Sequence, residues 1–110
     1  MASRPFRLVS AATTNLTHVG VYPGKLNGYS IVNTSGARKF VKFYDAIAPV
    51  VGTTTPVLTI AVPATSEVDF DLSNGVFFGN ALWFATTANV GDSDTTAVGA
   101  GDLYINLFVE

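Results

Sequence analysis

Cysteine is absent from this 110-residue chain, and histidine occurs once. Without thiols there is no disulfide framework and no thiolate metal site. Charge is scarce as well: 13% of residues are Asp, Glu, Lys or Arg, and the formal net charge is −2, where soluble domains average about 25% charged. So slight an acidic balance exerts no general pull on nucleic acid or an anionic membrane, and neither is expected as a partner. No apolar run approaches the ~20 residues of a membrane-spanning helix. In "MASRPFRLVSAATT", Arg7 falls where a secretion signal needs an unbroken apolar core. A protein made in the cytoplasm fits these absences. Helix signals are lacking too. Gly, Pro, Thr, Asn and Val dominate, and all disfavour helix interiors. No window sustains an i, i+3, i+4, i+7 apolar spacing.

What is present is hydrophobicity without charge. Hydrophobic residues make up 48% of the chain, and there are 13 threonines. A domain this small has much surface for its volume, so part of that surface must be apolar or hydroxylic, as on faces that other subunits cover. Short β-rich runs alternate with turn residues. They predict strands at residues 6–10, 15–19, 26–34, 37–45, 56–62, 67–71, 80–86 and 102–109. "TSG" (residues 34–36) reads as a tight hairpin that would pair "LNGYSIVNT" with "ARKFVKFYD". Pro23-Gly24 reads as a turn. The expected fold is all-β: one antiparallel sandwich domain over residues 1–110, a jelly roll of about eight strands, with a short N-terminal arm over about residues 1–6.

Two strands are apolar on both faces. In "ALWFAT", Leu82 and Phe84 oppose Ala81, Trp83 and Ala85; in "DLYINLFVE", Tyr104, Asn106 and Phe108 oppose four aliphatics. A sandwich strand facing water normally carries one polar side. Either a loop or arm of the same chain covers the second side, or another subunit does. Trp83, Tyr104 and Phe108 are the candidates for such an interface, where aromatics are enriched.

Signs of catalysis are sparse. His18 is the only imidazole, and no G-x-S-x-G elbow accompanies it; a nucleophilic triad needs partners around its base. Glu67, Asp69 and Asp71 alternate in "EVDFD", so they share one strand face and read as a solvated edge. "NVGDSDTTAVGAGD" (residues 89–102) has the look of a calcium loop. Counted from Asp92, however, the sixth position is Ala97 and the twelfth is Leu103, where an EF-hand needs Gly and Glu. Asp92 and Asp94 are left as the place for a weak ion, and none is expected. No phosphate-binding glycine motif occurs. The basic cluster Arg38, Lys39 and Lys42 is interleaved with aromatics, but three cations are a thin footprint for nucleic acid. The expectation is a protein with no cofactor and no enzymatic activity.

The runs "RKFVKFYD", "APVVGTTTPVLTIAVPA" and "ALWFATTA", followed by "DSDTTAV" and "GDLYINL", together resemble a group of small structural proteins of tailed bacteriophages. The resemblance spans roughly residues 6 to 109, and "EVDFDLSNGVFFGN" departs from it. It implies a capsid decoration (cement) protein of jelly-roll fold that sits on the virion surface as a dimer or trimer and binds the major capsid protein. On that reading Arg4, Phe6 and Arg7 would form an arm, and Arg38, Lys39 and Lys42 would meet an acidic shell. The alternative is a tail or fibre module that anchors a fibre or binds a glycan.

Overall fold

The computed structural model describes residues 3–20 and 24–110. These form eight strands and no helix: β1 (Arg4–Val9), β2 (Thr17–His18), β3 (Gly24–Asn33), β4 (Lys39–Asp45), β5 (Leu58–Val62), β6 (Ser66–Phe78), β7 (Leu82–Thr87) and β8 (Leu103–Val109). No helix among the described residues could cross a membrane. The strands make two antiparallel four-stranded sheets, ordered β1-β8-β3-β6 and β2-β7-β4-β5. The chain changes sheet at every connection except β4 to β5. Two interleaved Greek keys of this kind are a jelly roll.

Period-two alternation places the core. From β3 and β8, Leu26, Ile31, Leu103, Ile105 and Leu107 point between the sheets; from β4 and β7, so do Val41, Phe43, Leu82 and Phe84. All nine are fully buried, each contributing roughly 1.5–3 kcal/mol of transfer free energy. Phe6 packs its ring edge-on to Phe84, with centroids 6.0 Å apart. It is therefore a core-side residue of β1. Arg4 and Arg7 also lie on β1, paired with Val109 and Asn106 of β8. The arm expected over residues 1–6 is thus strand from Arg4 onward, and residues 1 and 2 lie outside the described residues.

The "TSG" hairpin does not form. β3 pairs with β6 and β8, while β4 pairs with β5 and β7 in the other sheet. Asn33, buried at the end of β3, explains the crossing. Its Nδ2 donates to the carbonyls of Ala37 (2.9 Å) and Val62 (3.0 Å). Its Oδ1 accepts from the Ser35 amide (2.9 Å) and the Ser35 hydroxyl (2.7 Å). This Asx turn takes the chain from one sheet to the other and ties β3 to the end of β5. The Pro23-Gly24 turn lies at the edge of the described residues: Pro23 is outside them, and Gly24 already opens β3.

β6 is much longer than the expected strand at 67–71. Its pairing with β3 jumps from Asp71 opposite Gly28 to Val76 opposite Leu26, so the turn-like "LSNG" (residues 72–75) bulges out of a continuing strand. Gly75 takes φ +73° there, and a Cβ would strike Asn27 Oδ1 at 2.5 Å.

Candidate interaction surfaces

Two surfaces gather the residues that could meet a partner. The first is the outer face of the β1-β8-β3-β6 sheet. Register places its side chains in rows. One row runs Arg7, Asn106, Ser30, Asp69 from edge to edge. The flanking rows run Pro5, Phe108, Gly28, Asp71 and Val9, Tyr104, Val32, Glu67. The three carboxylates therefore line one edge, on β6, with Arg7 on the opposite edge strand. The Arg7 guanidinium lies over the Tyr104 ring, 5.7 Å from its centroid. Phe108 and Val9 are exposed. Gly28 is buried under its own neighbours, since a Cβ there would lie 3.4 Å from the Phe108 ring and 2.8 Å from the Phe70 carbonyl. A groove of about 730 Å³ opens nearby, lined by Asn27, Tyr29, Asp69, Phe70, Asp71 and Phe108 among others. Tyr29, in register with Leu107 and packed against the core, meets the Phe70 ring at 6.1 Å. Burial raises the Tyr29 phenol above its ordinary value.

The second surface lies over the other sheet. Phe40, Lys42 and Tyr44 of β4 and Trp83, Ala85 and Thr87 of β7 point away from the core, yet all but Trp83 are buried, and Trp83 is half-buried. Two loops of the same chain, residues 46–57 and 88–102, roof this side. They touch each other: a Cβ on Gly52 would fall 2.6 Å from Thr95 Cγ2. Lys42 Nζ donates to the Gly91 carbonyl at 2.6 Å. Desolvation lowers the Lys42 pKa, and the carboxylates of Asp94 and Asp92 partly oppose that shift. Burial raises Tyr44, and Asp92 adds in the same direction. Trp83 stacks on His18 with centroids 4.8 Å apart. The Tyr44 hydroxyl and the Trp83 indole N–H are buried here without a hydrogen-bond partner.

Asp94 organises the second roof loop. Its carboxylate accepts from the Asn89 amide (3.2 Å) and side chain (3.1 Å), and from the Thr96 amide (3.3 Å) and hydroxyl (2.8 Å). Partial burial works to raise this carboxyl, but the four hydrogen bonds hold it below its ordinary value. Asp94 of "DSDTTAV" thus folds the loop, and its carboxylate and that of Asp92 both act on Lys42. No cluster of three or more His, Asp or Glu side chains among the described residues could hold a metal ion. The roof's outer side is apolar: Ile47, Val50, Val57 and Val90 are 74%, 56%, 59% and 61% exposed.

The residues singled out in the sequence therefore scatter. Lys42, expected as a charge contact, is fully buried inside the chain, and Trp83 is largely enclosed. Lys39 is half-buried, with its Nζ 3.7 Å from Asp102. Arg38 and Arg4 are exposed. Arg7, Tyr104 and Phe108 share one face. Sequence reasoning missed the exposed aliphatics of the 46–57 loop. The signal was "DAIAPVVGTTTPV", a polar-poor stretch inside a connection.

No protein-family model matches the chain, and no curated protein matches it. Solved structures do. The coat protein of Tobacco streak virus matches in two crystal structures. In the C2 form the identity is 12% and the TM-score 0.43; as a dimer, 13% and 0.44. Each covers 97% of this chain and 85% of the coat protein. A Bacillus endospore appendage protein, described as forming disulfide-linked pili, matches at 18% identity and a TM-score of 0.46, covering 97% of this chain and 84% of its own.

Proposed function

We propose that this protein is a structural component of a virion, a decoration protein that binds the assembled major capsid shell and bridges neighbouring capsomers without catalysing a reaction. The observation that carries this reading is the apolar outer side of the roof loops: Ile47, Val50, Val57 and Val90 exposed on connections that are internally braced. The bracing is extensive. Val50 accepts from Thr53 and Thr54 and donates to the Thr54 hydroxyl, Asp94 ties residues 89 and 96, and Lys42 ties Gly91. A binding surface already rigid when free loses little conformational entropy on docking. Exposed Arg38 adds a cation for an acidic shell. Each contact is modest, and many copies on one particle act together. The sequence resemblance to phage structural proteins supports the same reading.

The test mixes the purified protein with capsids that lack it. The wild type is expected to co-sediment with the shells and raise their disruption temperature, and an Ile47→Asp/Val57→Asp variant is expected to lose both effects. Shells that neither bind the wild type nor gain stability reject the proposal. A second reading, a tail or fibre module that recognises a glycan, draws on the groove beside Phe108. Aromatic rings, carboxylates and an amide around one groove suit the faces and hydroxyls of a sugar.

A further inference from the structure

We propose that the outer face of the β1-β8-β3-β6 sheet is a contact between two copies of the chain, related by a two-fold axis that lies in the face, parallel to the strands and between β8 and β3. This surface is distinct from the roof loops, and the inference does not depend on shell binding.

Each row would meet a defined row of the partner. Rotation about this axis sets β1 of one copy over β6 of the other and β8 over β3. In the row Arg7, Asn106, Ser30, Asp69, each Arg7 then faces the partner's Asp69, and each Asn106 faces a Ser30. In the row Pro5, Phe108, Gly28, Asp71, Phe108 leans toward Gly28 of its own sheet, 3.4 Å from where a Cβ would stand, so the two Phe108 rings meet across the axis. The groove of about 730 Å³ opens beside these rings. In the third row Tyr104 lies over Val32. Ring meets ring and cation meets anion on a single face, with Pro5 and Val9 opposite Asp71 and Glu67 at its rim, so the contact is isologous.

Charge also selects the axis. A two-fold in the same face but perpendicular to the strands would set β6 against β6, with Asp69 facing Asp69, Glu67 facing Asp71, and Arg7 against Arg7. Facing like charges cost several kcal/mol at an interface. A three-fold assembly cannot use one face against itself. Strands at about 4.8 Å and rows about 6.7 Å apart give a footprint of roughly 400 Å² per copy. Standard interfaces bury about 800 Å² a side. The dimer is therefore expected to dissociate on dilution, with a Kd on the order of micromolar to tens of micromolar.

Sedimentation velocity over a dilution series tests this on the purified protein. Wild type is expected to pass from monomer to dimer as concentration rises. Arg7→Glu and Asp69→Arg both change exposed side chains, so folding should survive, with circular dichroism as the check. Each places two like-charged pairs in the interface and is expected to weaken dimerisation at least tenfold. The double variant Arg7→Glu/Asp69→Arg swaps both pairs and is expected to recover most of the loss. A wild type that stays monomeric up to hundreds of micromolar overturns the proposal. So does a trimer, a dimer that neither single variant weakens, or a double variant that does not recover. Monomers that instead bind an oligosaccharide in the groove also overturn it, and favour the glycan reading.

Discussion

The Nζ of Lys42 lies 2.6 Å from the carbonyl oxygen of Gly91, 49 residues further along the chain. The lysine belongs to the middle of β4, and its side chain emerges on the side of the sheet away from the core. The loop over residues 88–102 closes on it, so a charged side chain is fully buried outside the sandwich. The acidic loop and the basic strand motif are two halves of one internal contact.

Burial lowers the Lys42 pKa from its ordinary 10.5, which fixes a sign. Between the lowered folded value and 10.5, the unfolded chain binds more protons, so stability rises with pH. Lys42→Met keeps the volume and removes the charge. Chemical denaturation in steps from pH 8 upward is expected to show a rise for wild type that this variant lacks. An identical slope in both proteins would rule out a desolvated, ionised Lys42.

Tyr44 has the opposite pH sign. Its phenol is raised above 10.0, so above pH 10 the unfolded chain has lost a proton that the folded chain keeps, and stability falls. The hydroxyl is also buried without a partner. An unpaired buried hydroxyl costs about 1–3 kcal/mol. Tyr44→Phe is therefore expected to leave the thermal midpoint unchanged or raise it by a few degrees, and to soften the alkaline fall. A midpoint lowered by several degrees would show that the hydroxyl makes a stabilising bond.

Asn33 is the opposite case, with every polar group of its side chain engaged. Asn33→Ala is expected to cost about 2–4 kcal/mol, because four hydrogen bonds go and the Val62 carbonyl loses its buried side-chain donor, while Ala37 keeps the Ser35 hydroxyl. Denaturant midpoints measure this. Asn33→Asp keeps the two acceptor bonds but turns a carboxylate oxygen on the Ala37 and Val62 carbonyls, so at neutral pH it should cost at least as much as Ala.

Much of the fold was legible because alternation is a local signal. All eight strands lie where β-rich runs and turn residues put them, and "DLYINLFVE" divides into core and outer faces as its pattern predicts. Pairing was less legible. "TSG" looks the same whether its strands join or part, and the outcome depends on Asn33 reaching Val62, 29 residues away. β6 was shortened because "SNG" reads as a turn, and only the register with β3 shows the strand continuing past it. The surfaces were hardest. Period two assigns Lys42 and Trp83 to an outer face but cannot say which loop lies over it. Arg7, Tyr104 and Phe108 were visible as residue types, whereas their alignment with Asp69 and Gly28 exists only across four paired strands.

The central claim is that this chain coats a capsid in many copies. Counting it in purified particles, by quantitative mass spectrometry against the major capsid protein, tests that most directly. Hundreds of copies per particle are expected, in a fixed ratio to the shell subunit. A dozen or fewer, or none, would contradict it.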